Sequence, residues 1–223
     1  MSDTDSFIEE VTEEVRRDRL FKLMKRYGWI PALIVIATVA GTGWNEYNKA
    51  KDRSAAETLG DDIIAALAVD ESDARAEAFA NVTAGTPGGK AMVEFLRAAA
   101  LSNSEQKPQA VEILNAVAVN GDLPEIYRQI AAFKALTLQA DTMPTDERRR
   151  QFEALAQPGQ PLRLLAEEQL GLIDIAEGKR DQAIERFQAI LQDAELSLDL
   201  RDRVIGMIIA LGGEPQTLVM SQG

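Results

Sequence analysis

The chain contains no cysteine and no histidine. Those absences exclude disulfides, thiol nucleophiles, Ser-His and Cys-His pairs and most zinc sites. They leave the redox compartment open, although a cysteine-free chain suits an oxidising one, where stray thiols mispair. Aromatic residues make up only 5% of the sequence, and there are 8 prolines and 15 glycines. An apolar content built from Ala, Leu, Ile and Val with so few breakers favours helices over a sheet. Cations are scarce relative to anions, 24 against 36, for a net charge of -12. Phosphate binding needs clustered cations, so nucleic acid is a poor candidate partner and proteins or peptides are better ones.

What is present is 223 residues, 46% of them hydrophobic, enough for one domain with a buried core and an additional anchor. Residues 28–44 are almost continuously apolar and, with 27–45 free of charged groups, read as a transmembrane helix. At about 1.5 Å per residue the run reaches roughly 28 Å, close to a hydrocarbon core of about 30 Å. Tyr27 and Trp29 at one end and Trp44 and Tyr47 at the other fit the interface level of a bilayer, and Pro31 falls in the first turn, where a helix tolerates it. A cleavable signal is disfavoured by the 26 residues in front and by the lack of an Ala-x-Ala site after Val39. Arg16, Arg17, Arg19, Lys22, Lys25 and Arg26 precede the span, against Lys49, Lys51 and Arg53 behind it. This imbalance puts residues 1–26 in the cytoplasm and the rest, carrying -11, on the other side. Within the cytoplasmic segment, Ser6 and Glu9 have the spacing of a capping box for a short helix.

Beyond the span the helical pattern continues through a juxtamembrane helix at 46–69. Further helices are expected at 70–82, 90–101, 108–119, 124–139, 145–156, 161–176, 181–191 and 199–211, with a tail at 214–223. Pro87-Gly88-Gly89, Asn120-Gly121, Met143-Pro144, Pro158-Gly159, Gly178 and Gly212-Gly213 punctuate them. Short connections between helices of this length make antiparallel hairpins. An internal repeat runs through the domain at 70–213. Gln109-Ala-Val-Glu-Ile-Leu-Asn-Ala-Val117 aligns with Gln182-Ala-Ile-Glu-Arg-Phe-Gln-Ala-Ile190 at an offset of 73 residues. The same offset pairs Lys90 with Arg163, Glu94 with Glu167, Leu123 with Leu196 and Arg128 with Arg201.

Leu170, Gly171, Gly178, Ala183 and Phe187 fall at the spacing of the tetratricopeptide motif, which the period, near twice 34, also fits. Small residues at Gly171 and Ala183 would let two helices approach closely, with Phe187 filling the space beside them. Ala98, Ala110 and Leu114 take the corresponding places in the earlier copy, where Arg97 and Glu105 replace Leu and Gly. The middle unit, with Phe152 and Leu155, departs further from the motif. The expected fold is therefore all-α, a single N-terminal transmembrane helix followed by a tetratricopeptide-like array of helical hairpins. This layout, together with Phe7-Ile8-Glu9-Glu10-Val11 and the stretch Arg26-Tyr27-Gly28-Trp29, resembles the YfgM-like ancillary subunits of the bacterial SecYEG translocon. The resemblance implies a single-pass protein of the bacterial inner membrane, its C-terminal domain periplasmic, that helps pass exported polypeptides from translocon subunits to periplasmic chaperones. The residues alone imply only a membrane-attached protein-binding module, which would equally serve as a scaffold or accessory subunit of a respiratory or cell-division assembly.

Other motifs carry less. The run Ala84-Gly-Thr-Pro-Gly-Gly-Lys-Ala91 lacks the first glycine and the final Ser or Thr of a phosphate loop and reads as a turn. Asp61-Asp62 and Asp70-Glu71-Ser72-Asp73 lack calcium-loop spacing, and the second suits a helix N-terminus. Arg148, Arg149 and Arg150 point in different directions on a helix and read as a solvated face. Nothing marks out a catalytic pair, a metal site or a cofactor motif, so no enzyme activity and no cofactor are expected. The charge imbalance generates a test: protease added to spheroplasts should remove the chain beyond Trp44 and spare residues 1–26. Protection of the large domain would overturn the topology.

Overall fold

The computed structural model describes residues 24–26, 29–102 and 105–216, with Pro31 and Ala32 described through their backbone only. The expected capping box at Ser6 and Glu9, the cytoplasmic segment up to residue 23, Tyr27 and most of the tail lie outside the described residues. The chain divides into two units, Met1–Thr58 and Leu59–Gly223. Helix α1, Trp29–Leu67, runs through the boundary, so the expected span and juxtamembrane helix are one continuous helix.

In the first unit every described side chain from 33 to 58 is exposed, including Leu33, Ile34, Val35, Ile36, Val39, Trp44 and Tyr47. No helix among the described residues is long and apolar enough to cross a membrane, contrary to the expectation for 27–45. The continuous apolar stretch from Ile30 gives way at Gly41-Thr42-Gly43, and Asn45 and Glu46 follow, which dilutes the hydropathy of the window.

The second unit is all helix among its described residues. It begins with the end of α1 and continues as α2 (Ser72–Ala80), α3 (Pro87–Leu101), α4 (Lys107–Ala118), α5 (Glu125–Leu138), α6 (Thr145–Leu155), α7 (Arg163–Ala176), α8 (Arg180–Leu191) and α9 (Leu198–Ala210). Each helix from α2 onward packs on the next, and α3 also touches α5. This nearest-neighbour pattern is that of a repeat array. The core is accordingly a series of layers. Ala66, Phe79 and Val93 join α1, α2 and α3. Ala76, Ala98, Leu101, Ala110, Leu114 and Ala135 join α2 through α5. Leu136, Phe152, Ala166, Leu170 and Ile173 join α5, α6 and α7, and Ala183, Phe187, Ile190, Val204 and Ile208 join α8 to α9.

Local chemistry accounts for several helix ends. Ser197 caps α9 by accepting from the Leu200 amide, and Gly178, at a φ of +73°, turns the chain between α7 and α8. There the Gly178 amide donates to Ile175 O at 2.9 Å and the Lys179 amide to Asp174 O at 2.8 Å, satisfying carbonyls that a helix end leaves open. Most helix bounds shift by one or two residues from the sequence reading, and the start of α3 shifts by three. Pro87-Gly88-Gly89 is the first turn of α3 rather than a separator, because Thr86 accepts from the Gly89 amide at 3.1 Å and proline is well placed at a first helical position. At α2 the acidic cluster supplies no side-chain cap. Instead the Arg75 guanidinium donates to the carbonyls of Val69 and Asp70, both at 2.7 Å.

Gly171 and Phe187 illustrate how tightly the hairpins close. A Cβ placed on Gly171 would lie 2.6 Å from Phe187 Cζ. At the positions 73 residues earlier, Ala98 stands where the glycine is and Leu114 where the phenylalanine is, both in one buried cluster. The larger partner goes with the smaller one. Gly171→Ala should therefore lower stability by about 1–3 kcal/mol through overpacking. The double change Gly171→Ala with Phe187→Leu, which reproduces the pairing of the earlier copy, should recover part of that loss. Thermal denaturation of the full double-mutant cycle measures the coupling, and strict additivity would show that the two positions do not determine each other.

Candidate protein-binding surface

Two features of the helical array bear on binding: an apolar groove between α3 and α5, and a charge network centred on α7. The groove has a volume of about 260 Å³ and is walled by Phe95 and Phe133, with Ala98, Ala99 and Leu138 beside them. Its hydroxyls are turned inward to their own helices. Ser102 Oγ donates to Ala99 O at 2.8 Å, and Thr137 Oγ1 to Phe133 O at 2.9 Å. The walls therefore present mainly carbon, with Lys134 at the lining, an arrangement suited to one apolar side chain of a partner. Phe133 is held from behind by Phe152 of α6 in an edge-to-face contact, centroids 5.7 Å apart and planes at 70°.

The charge network begins at Asp174, whose side chain is 1% exposed. It accepts from Arg149 of α6 at 2.8 Å and from Arg186 of α8 at 3.0 Å, so one buried carboxylate ties three helices. Arg149 also reaches Glu177 at 2.8 Å, and Arg186 reaches Glu167 at 2.5 Å. Arg203 of α9 grips Glu168 of α7 through two bonds of 2.7 and 2.9 Å, a bidentate fork. Arg163 binds both Asp193 and Glu195 at 2.9 Å. Burial works against the charge on Arg149, but hydrogen bonding and attraction from Asp174 and then Glu177 more than offset it and raise its pKa. Lys179, and after it Arg149, holds the Glu177 carboxyl below its ordinary range despite some desolvation. Asp193 is likewise lowered, chiefly by the Glu195 amide and then by Arg163. Arg149 is thus an interhelix tie rather than part of a solvated face. Arg150 is exposed as expected, and Arg148 is half-buried.

Of the residues singled out for repeat packing, Leu170, Gly171, Ala183, Phe187, Ala98, Ala110 and Leu114 are all buried, and Gly178 occupies the α7–α8 turn. The structure brings Ala98, Ala110 and Leu114 into one cluster, and Ala183 and Phe187 into another. Leu170 faces the opposite side of α7, against Phe152. Trp29, Trp44 and Tyr47 are exposed on α1. Sequence reasoning missed the groove between Phe95 and Phe133, since its walls come from two helices that the chain separates by α4. Among the described residues no group of three acidic, histidine or cysteine side chains is placed to hold a metal.

The sequence pattern of the tetratricopeptide repeat-like domain matches residues 23–207, most of the chain. The chain belongs to that family. No curated protein and no solved structure matches it. Membership in a tetratricopeptide repeat-like family makes protein–protein interaction the role of the array, with the YfgM-like resemblance a narrower matter. The match begins ahead of α1 and ends within α9, so it covers the exposed apolar helix together with the repeats.

The network of this tetratricopeptide-like array makes its stability sensitive to acid. Because Glu177 and Asp193 have folded pKa values below their ordinary ones, the stabilisation they supply is complete above the unfolded carboxylate range, about pH 4. It is lost as pH falls through the lower folded values. Arg149→Met should cost about 1–3 kcal/mol at neutral pH by depriving buried Asp174 of one donor. The same change should flatten the acid limb, because Glu177 then titrates closer to its ordinary value. Denaturant titrations from pH 7 to 3 on both proteins check this, and parallel pH profiles would remove Arg149 from the linkage.

Proposed function

We propose that this tetratricopeptide-like protein is a non-catalytic, membrane-attached subunit that binds other proteins on behalf of the secretion machinery. It would receive exported polypeptides beside the Sec translocon and pass them to periplasmic chaperones. The observation that carries the binding part is the open apolar groove between Phe95 and Phe133 on the surface of the array. A pocket of that size accepts a single apolar side chain, which suits transient contacts with many clients better than one tight complex.

Attachment to the bacterial inner membrane is supported by the first unit. Ile30, Leu33, Ile34, Val35, Ile36 and Val39 form an exposed apolar stretch on one helix. Trp29 and Tyr47 lie about 27 Å apart along the axis, near the thickness of a hydrocarbon core. The hydroxyls within the stretch are satisfied internally, Thr38 Oγ1 donating to Ile34 O at 2.8 Å and Thr42 Oγ1 to Thr38 O at 2.9 Å. That spares the cost of unpaired donors in lipid. The basic residues ahead of the stretch support an N-terminus in the cytoplasm and a periplasmic repeat domain.

The second reading, an accessory subunit of a respiratory or cell-division assembly, shares the same fold and anchor. Crosslinking of the native protein in membranes, followed by identification of the partners, separates the two. Translocon subunits and periplasmic chaperones should dominate the products, and their yield should fall severalfold when Phe95 and Phe133 are both replaced by serine. Products drawn instead from a single respiratory or division complex would replace the secretion reading with the second one.

A further inference from the structure

The internal duplication has made two grooves as well as two hairpins. One, of about 550 Å³, lies between α7 and α8, and another of about 550 Å³ lies between α3 and α4. All nine residues lining the α7–α8 groove have their counterparts, 73 positions earlier, lining the α3–α4 groove. Buried positions can be retained through a duplication because the hairpin must pack, but these positions include exposed polar side chains with no packing role. On α4 and α8 the pair Gln109 and Glu112 recurs as Gln182 and Glu185, one helical turn apart on one face and exposed in both copies. Neither glutamate makes an ion pair among the described residues, and neither glutamine side chain has a hydrogen-bond partner there.

The charges across each groove are similarly matched. Each lining holds three carboxylates against two cations, within a unit, Leu59–Gly223, that carries 26 acidic and 15 basic side chains. In the α7–α8 groove both cations are already engaged, Arg163 with Asp193 and Glu195, and Arg186 with Glu167 and Asp174. In both grooves the glutamate and its neighbouring amide remain available; the α3–α4 groove also keeps the Asp122 carboxylate and the Lys90 ammonium, neither of them in an ion pair among the described residues. A carboxylate that can accept a charged hydrogen bond, beside an amide that can pair with a peptide group, suits a lysine or arginine side chain together with its own backbone.

We propose that the two grooves are equivalent subsites for basic side chains of one partner polypeptide, with Glu112 and Glu185 taking the cations and Gln109 and Gln182 the adjacent main chain. The two subsites differ in how their cations are held. In the α3–α4 groove Ile113 stands in place of Arg186, Glu94 is held among the described residues by Arg97 at 3.7 Å, and Lys90 stands without an ion pair where Arg163 has two. This inference rests on the reading of the array as a protein-binding module, and it specifies a basic partner held at two points. Occupying both grooves with one chain multiplies two weak contacts through effective concentration, so neither has to be strong.

The test uses the full chain in detergent with three synthetic probes: an acetylated and amidated Ala-Ala-Lys-Ala-Ala peptide, the same peptide with glutamate for lysine, and two lysine modules joined by a flexible Gly-Ser linker. Side-chain amide resonances of Gln109 and Gln182 report each groove separately. The lysine peptide should move both and the glutamate peptide neither. The joined peptide should bind at least about tenfold more tightly than the single one. Glu112→Gln should abolish the Gln109 response and that gain while leaving the Gln182 response, and Glu153→Gln on α6, outside both grooves, should change nothing. Equal responses to the glutamate peptide, no gain from joining, or responses that persist in Glu112→Gln with Glu185→Gln would overturn the proposal. If that double variant still yields the native crosslinked partners in full, this inference falls while the protein-binding reading stands.

Discussion

The distance at which paired helices can approach governs this architecture. Gly171 leaves room for the Phe187 ring where even a methyl group would collide, and the earlier copy solves the same problem with Ala98 and Leu114. Ala110 and Ala183 are fully buried at the matching places on the facing helices. Small residues at these crossings bring each hairpin together closely enough for its remaining large side chains to reach the next one. The layers through Phe79, Phe152 and Phe187 follow from that spacing.

Around α7, electrostatics adds to packing. Asp174 is buried, and a buried carboxylate is tolerated only when donors surround it. Arg149 and Arg186 meet that need from the two helices that pack against α7, and each is shared with a second carboxylate nearer the surface. With Glu168 joined to Arg203, α7 is bonded to α6, α8 and α9 at once. The N-terminal half of the array has fewer ties of this kind among its described residues. Its α3–α4 groove consequently keeps carboxylates available, whereas those around α7 are largely spent on the fold.

The places where sequence and structure part have local causes. Pro87-Gly88-Gly89 has the composition of a loop, yet a threonine cap and a proline tolerant of the first helical position carry it into α3. Arg149 belongs to a run of three arginines with the look of a solvated face, but its partners lie 25 and 28 residues along the chain, on α7 and at its C-terminal cap. The apolar stretch of α1 has the length of a span in its ring-to-ring reach, while glycines, threonines and an early glutamate keep it from qualifying as one. The turn glycine Gly178 and the small residues were legible because their roles depend on backbone sterics a few residues away.

The sequence by itself determined what repeats: helical periodicity, hairpin punctuation, the 73-residue duplication and the small residues at crossings are all local signals that survive copying. It likewise excluded thiol and imidazole chemistry outright, since those residues are missing. Only the tertiary structure decided which charges are spent and which are available. Whether Arg149 is solvated, whether Phe95 and Phe133 share a groove, and whether Glu112 and Glu185 face open space depend on distances between helices. Those distances come from the packing of several units together, and no single segment of the chain contains them.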